Sequence, residues 1–367
     1  MTSEITRETT REWQSVCLRR GAVDEFFLTV SPATGSKPED LVRLLDNGLA
    51  SQKGADVISE SVFGLISVYP FPGRPKSGAW PVTEVAEPNG NGRLTAGINL
   101  HTISGVEIQR LKRDGRIVGT VFEDEYARYC WLGDLRSKDT TLPCDVQTRN
   151  VFDMLVSVLD DAGMSFLDVV RTWFYLDGIL DWYDDFNRVR TGFFKEQKVF
   201  DHLVPASTGI GGINGGGAAL VADAFAIQPK DERMAIQAVP SPLQCPALEY
   251  GSSFSRAVEV ATPDHRRLIV SGTASIEPGG ETVHVGDMDK QVALTMDVVE
   301  AILCARSMGW EDVVRGVAYF KHAHDLPAYE AYCKKKGLPP MPVVPVQCDV
   351  CRDDLLFEIE VDAIQKG

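Results

Sequence analysis

No stretch of this sequence reaches 18 consecutive apolar residues, so no membrane-spanning helix is expected. The opening residues, Met1 to Arg11, are polar and lack the apolar core of a secretory leader. Positive charge is scarce: 37 Lys plus Arg stand against 52 Asp plus Glu, a formal charge of −15 over 367 residues. That argues against nucleic acid as a partner, because a nucleic-acid groove needs a basic stripe. An anionic substrate would need cations concentrated locally. The eight cysteines (Cys17, Cys130, Cys144, Cys245, Cys304, Cys333, Cys348 and Cys351) are scattered, and without a leader they read as reduced thiols of a cytoplasmic protein. Cys348 and Cys351 spell a CxxC, but no second pair follows at zinc spacing, and the strand-like Val343 to Gln347 precedes it. The Gly-rich run Gly209 to Gly217 has no Lys-Ser/Thr and opens no helix, which excludes a phosphate cradle and leaves a mobile turn with Ser207 and Thr208 at its mouth. His322 and His324 have no carboxylate phrase at ligand spacing and read as surface or core residues, so no metal is expected.

What is present is an internal repeat, within a length that suggests two domains or three small units. Val151, Met154, Leu155, Val158, Leu159 and Ala162 fall at helical spacing, and Val292, Thr295, Met296, Val299, Ile302 and Leu303 do the same. Each pattern ends in a Gly, Gly163 or Gly309, expected to cap the helix in the left-handed conformation. Asp168-Val169-Val170-Arg171 and Asp312-Val313-Val314-Arg315 then open strands. Second helices are predicted over Asp181 to Phe194 and Asp325 to Lys336, and final strands run to Ile227 and Ile364. Each unit therefore reads β-β-α-β-α-β-β, an α/β (α+β) fold with a parallel crossover in a mixed sheet and helices on one face. The reading gives a first unit over 121–235, a second over 236–367, and residues 1–120 as an N-terminal extension or truncated repeat. In that extension, Leu41 to Gln52 predicts a helix, Val57 to Tyr69 a strand, and Pro70 to Asn91 a loop.

The order of elements and the phrase helix–Ala-Gly–Asp-Val-Val-Arg–strand resemble the YjgF/RidA fold of reactive-intermediate deaminases, so the units are read as two fused RidA-like modules. Those deaminases carry a carboxylate-binding Arg about fifteen residues before the final-strand Glu. Val343 and Ala206 stand at those places here. The finer motifs resemble the chorismatases instead: Gly119 to Tyr129, Arg171 to Asn187, Val204 to Gly211, Ser271 to Ser275, and Asp349 to Glu358, in order between about residues 97 and 364. The first 90 residues carry no placeable motif.

The resemblance implies an enzyme that releases pyruvate from chorismate without a metal or organic cofactor. Glu358 alternates with Phe357, Ile359 and Val361, on one face with Glu360 and Asp362. By pattern that face is solvated. By resemblance Glu358 lies in a pocket and protonates the enolpyruvyl methylene; Glu360, on the same strand face, is expected to matter much less to the rate. Cys351 takes the position at which a cysteine accompanies an aromatic product, most readily 3-hydroxybenzoate, and Cys348 is core. Arg352-Asp353-Asp354 should turn the chain so that a hairpin brings Cys351 to Glu358. Arg190 is the preferred carboxylate anchor. Arg128, Arg256, Lys321 and Arg352 are further cations, and Ser207, Tyr250, Gly251 and Ala274 complete the expected binding residues. Alternatives are hydrolysis to a dihydroxy-cyclohexadiene carboxylate, 4-hydroxybenzoate formation, an enamine or imine deaminase, and a ligand-binding module without turnover. The chain is expected as a monomer or small homo-oligomer.

Overall fold

The computed structural model describes residues 3–33, 38–52, 54–64, 79–86 and 97–367. Three six-stranded sheets follow one another along the chain. The first holds β1 (Glu4–Thr9), β2 (Trp13–Arg20), β3 (Val23–Val30), helix α1 (Pro38–Ala50), β4 (Asp56–Phe63), β5 (Val82–Val85) and β6 (Gly97–Ser104). The second holds β7 (Ile108–Arg113), β8 (Arg116–Glu123), β9 (Ala127–Leu135), α2 (Cys144–Asp161), β10 (Val169–Leu176), α3 (Ile179–Glu196), β11 (Ala206–Gly211) and β12 (Leu220–Pro229). The third holds β13 (Ala235–Val239), β14 (Ala257–Ala261), β15 (His265–Ala274), α4 (Met288–Cys304), β16 (Val313–Phe320), α5 (Leu326–Lys336), β17 (Val343–Gln347) and β18 (Phe357–Lys366).

All three sheets have one order. Counting strands within each unit it is 1-2-3-6-4-5, antiparallel throughout except the parallel pair 4-5. Each unit thus opens with three strands, one more than the repeat pattern alone indicated. The first unit has the full sheet, and no second helix among its described residues. Position 120 falls inside β8, which pairs with β7 and β9 in the second sheet. Val82–Val85 lies within the stretch read as a loop. It is a strand because its β-branched residues pair with β4 and bury Thr83 and Val85. The strand expected to reach Tyr69 ends at Phe63, and residues 65–69 lie outside the described residues. Gly163 takes its left-handed cap at φ 67°, but in the second repeat Ser307 does so at φ 59°. Both sites are reached by the same hydrogen bond, Met164 to Leu159 and Met308 to Leu303, so the cap belongs to the position rather than to the glycine.

The central strands explain the packing. VVRTWFYL of β10 and VVRGVAYF of β16 are buried at every residue, which requires cover on both faces. One face carries that unit's helices: Val151, Phe152 and Leu155 of α2 pack with Phe174 and Leu176, and α4 does the same for the third sheet. The other face meets the neighbouring sheets, in a common core that joins Ile58 and Ile103 to Trp131, Tyr175, Ile269 and Tyr319. Each pair of sheets is also cross-bonded. Thr83 meets Asp223, Arg171 meets Glu360, and Asn99 donates to the Gly316 carbonyl. The result is a ring of three units within one chain.

Candidate active site

A cavity opens between the second and third units, with about 520 Å³ of space including its open mouth. The second unit contributes Tyr183 and Arg190 from α3 and Ser207 and Gly209 from β11. The third contributes Tyr250 and Arg256 from the segment before β14, Ala274 from β15, Cys351 and Arg352 from the β17–β18 connection, and Glu358 from β18.

Glu358 sits opposite Tyr319 on β16 and Ala274 on β15. Strand alternation sends Phe357, Ile359 and Val361 into the α4 core and turns Glu358, Glu360 and Asp362 towards the other units. The acidic face is therefore buried against protein, with Glu360 fully inaccessible, rather than solvated as the pattern alone suggested. Burial pushes the Glu358 carboxyl up to about 8, ionised Glu360 adds to the effect, and Arg171 and Arg256 oppose it. Among the described residues, no side chain hydrogen-bonds the Glu358 carboxyl. Gly272 leaves room for it: a Cβ there would stand 1.9 Å from Glu358 Oε1.

Glu360 behaves oppositely. Burial disfavours its charge, but the guanidiniums of Arg171 and Arg315, with Thr208 and Trp173, hold it below the usual carboxylate range. Arg171 Nη2 donates at 2.6 Å, Thr208 Oγ1 at 2.5 Å, Trp173 Nε1 at 2.9 Å and Arg315 Nη2 at 2.9 Å. Glu360, expected to matter little to the rate, is the buried anion that ties the second unit to the third. Two carboxyls on one strand face are driven apart in acidity, one kept protonated and one kept ionised, an arrangement that separates acid and anion roles.

Three guanidiniums reach the cavity. Arg190 occupies a position in the buried stripe Phe186, Arg190, Phe193, Phe194 of α3. Its Nη2 donates to Asn187 at 2.5 Å, its guanidinium lies 5.1 Å from the Phe186 ring, and its buried Nε has no partner among the described residues. Burial lowers its pKa below the usual arginine range, as expected of a cation short of an anion. Arg256 donates twice to the Cys245 carbonyl, at 3.0 and 2.9 Å, and Arg352 donates to the Gly280 carbonyl at 2.8 Å. Both lie over Tyr250, at 5.3 and 5.6 Å. Burial pushes the Cys351 thiol up to about 12, helped by Glu358, so it is a neutral thiol here. Cys348, three residues earlier, is in the core.

The structure brings Glu358, Cys351, Arg190, Arg256, Arg352, Tyr250, Ser207 and Ala274 together. It does not bring in the other three. Arg128 binds Glu123 at 2.8 Å and the Ala162 carbonyl at 2.7 Å, stitching β9 to the end of α2. Lys321 holds Asp353 at 2.6 Å and so pins the loop bearing Cys351 from outside the cavity. Gly251, at φ 88°, ends the short turn Ala247–Tyr250 and lines an outer groove that leads to the cavity. The expected hairpin is also replaced: β16 lies between β17 and β18, and the connection crosses its end, where Cys348 N bonds Phe320 O and Lys321 N bonds Leu356 O. Ser207 and Thr208 are strand residues, not a turn mouth, because β11 pairs with β10 as far as Gly211. The sequence reading did not single out Tyr183, Gly209 or Gly272. All three lie inside motif stretches already noted, and their signal is position beside named residues.

The same register positions recur in all three units, but only one carries the acid. Tyr319 faces Glu358, Tyr175 faces Val221, and Phe63 faces Gly97. The third place is closed outright, since a Cβ on Gly97 would stand 2.2 Å from Val344. The class is then defined: a YjgF/RidA-like ring with one elaborated site, at a seam between units. The family model described as endoribonuclease L-PSP matches residues 247–365. The chain is 29% identical over 240 residues to a 3-hydroxybenzoate synthase of Streptomyces hygroscopicus, covering 58% of this chain and 68% of that protein. It is 30% identical over 233 residues to a chorismatase of Streptomyces rapamycinicus, covering 57% and 66%. A solved chorismatase structure superimposes with a TM-score of 0.66 at 21% identity, over 84% of this chain and 92% of that one. The chain belongs to the chorismatase family of enzymes.

Proposed function

We propose that this enzyme cleaves chorismate to pyruvate and 3-hydroxybenzoate, with Glu358 as the acid. The observation that carries the reading is a carboxyl held neutral near pH 7, in a cavity with three guanidiniums. A dicarboxylate needs such cations, since an unpaired buried carboxylate is costly. Arg190, with a free Nε, and Arg256 suit the two carboxylates.

Glu358 gives its proton to the enolpyruvyl methylene carbon, leaving an oxocarbenium ion, and the ether bond to the ring then breaks as pyruvate leaves. The ring hydroxyl attacks intramolecularly, the ring aromatises, and the proton released restores Glu358. Atoms balance without water. Cys351, small, neutral and weakly polar, fills the place beside Glu358 where a water could otherwise compete. Water attack would give the dihydroxy-cyclohexadiene carboxylate instead.

The test is to mix the protein with chorismate, follow pyruvate with a coupled dehydrogenase, and resolve the ring product by chromatography. Pyruvate with 3-hydroxybenzoate is expected. Pyruvate with the diene acid or 4-hydroxybenzoate would refute the product assignment, and no pyruvate would refute the activity.

A further inference from the structure

The three seams are built from equivalent positions, and one of them lacks a pair of side chains. Each fourth strand carries a bulge, after which Ser59, Arg171 and Arg315 are equivalent, and two residues on so are Ser61, Trp173 and Val317. Facing the latter on the sixth strands are Asn99, Asp223 and Glu360. Between the second and third units, Glu360 is satisfied by Arg171, Trp173 and Thr208. Between the first and second, the corresponding acid is Asp223, and Thr83, in the register place of Thr208, donates to it at 2.5 Å. Ser59 and Ser61, however, stand where Arg171 and Trp173 would be.

A cavity occupies the space that this truncation leaves. It is lined by Ser59, Ser61 and Asp223, with Trp131, Trp173 and His101 as aromatic walls. Asp223 accepts from Thr83 and from the Asp134 N–H, and burial pushes it up to about 7. Arg315 reaches the same space; its Nη2 is held by Glu360 at 2.9 Å, and its Nη1, 3.6 Å from Asp362, makes no hydrogen bond among the described residues, so its charge is balanced by those two acids. His101 Nε2 lies 2.7 Å from Glu25, so that nitrogen carries the proton. Burial keeps the imidazole neutral, which makes Nδ1 an acceptor. His101 is 5% exposed, and Nδ1 has no partner among the described residues. Two lining residues of one cavity, one with an unpartnered buried acceptor and one with an under-paired buried carboxyl, ask for a donor with positive charge.

We propose that this cavity binds a small planar cation of the guanidinium or amidinium class, with Asp223 and His101 Nδ1 as its acceptors, in the role that Arg171 fills at the neighbouring seam. Trp131 Nε1, also unpartnered among the described residues, is a donor that a water admitted beside the cation would satisfy.

The proposal is tested with methylguanidinium chloride at low millimolar concentration, followed by thermal unfolding, against sodium chloride at the same ionic strength. A saturable rise in Tm with methylguanidinium alone is expected, because a ligand that binds only the folded state stabilises it. Asp223→Asn should lose the rise. Ser59→Arg supplies the guanidinium covalently, so it should unfold at a higher temperature than the parent and no longer respond. It also decides the matter if Asp223→Asn does not fold. No saturable rise, or a rise that persists in Ser59→Arg, would overturn the proposal.

Discussion

Gly272→Ala should disable the enzyme without touching a charged group. The added Cβ would stand 1.9 Å from Glu358 Oε1, 3.0 Å from its Cδ and 3.1 Å from Thr208 Cγ2. Carbon and oxygen normally approach no closer than roughly 3.3 Å, so the carboxyl oxygen must retreat by about 1.4 Å. Thr208 blocks relief on its side, because its hydroxyl is committed to Glu360 and to the Gly272 N–H at 3.0 Å. A displacement of about 1 Å from productive geometry can cost on the order of 10²-fold in rate, so kcat should fall by about 10²-fold. KM should change little, because Arg190 and Arg256 are untouched. The crowding itself should cost about 1–3 kcal/mol of stability, as overpacking does. Steady-state pyruvate release measures the first quantity and thermal unfolding the second. A folded Gly272→Ala enzyme with kcat within a few-fold of the parent would refute the assignment of proton transfer to Glu358 in this position.

Glu358→Gln should lower kcat by roughly 10²–10⁴-fold, the usual contribution of a general acid. The parent's rate should hold up to neutral pH and fall as pH rises through about 8, where the carboxyl ionises. The raised value also has a stability sign. The neutral form favours the fold, so Glu358 carries no penalty below its ordinary range and a growing one as pH climbs to about 8; Glu358→Gln should match the parent's denaturant midpoint at pH 4 and exceed it at pH 8. Glu360→Gln should cost about 3–5 kcal/mol, because it leaves Arg171 and Arg315 buried without their anion; urea unfolding checks this. Cys351→Ala opens room for water beside Glu358, so chromatography should show product shifting towards the dihydroxy-cyclohexadiene acid with pyruvate release retained; an unchanged ratio would remove Cys351 from product control.

What the sequence made legible was periodic or contiguous. The helices at 151–162 and 292–303 and the strands that follow are short-range patterns, and they appear in the structure, the helices starting earlier, at Cys144 and Met288. The first unit was harder to read, because its helix–Gly–strand phrase is reduced and its fifth strand has only four residues. Glu358 and Cys351 share one contiguous motif and could be named. The Arg171–Glu360 pair spans 189 positions, so no local pattern links its members. Arg190 carried a weak signal, a cation in an otherwise apolar helical stripe. Arg128 and Lys321 carried none, because a surface or loop-pinning cation and a substrate anchor look alike until the backbone is folded.

Covalent linkage of the three sheets changes what a substitution means. In a ring of identical subunits, every replacement appears three times, so an acid suited to one seam burdens the other two. Here the place held by Glu358 is Val221 at one seam and Gly97 at another, and each can be altered alone. The tether also holds neighbouring units at a high effective concentration, so the seam around Glu358 does not come apart on dilution as a ring of separate chains would. Specific activity per mole of chain should therefore stay constant down to trace enzyme concentrations.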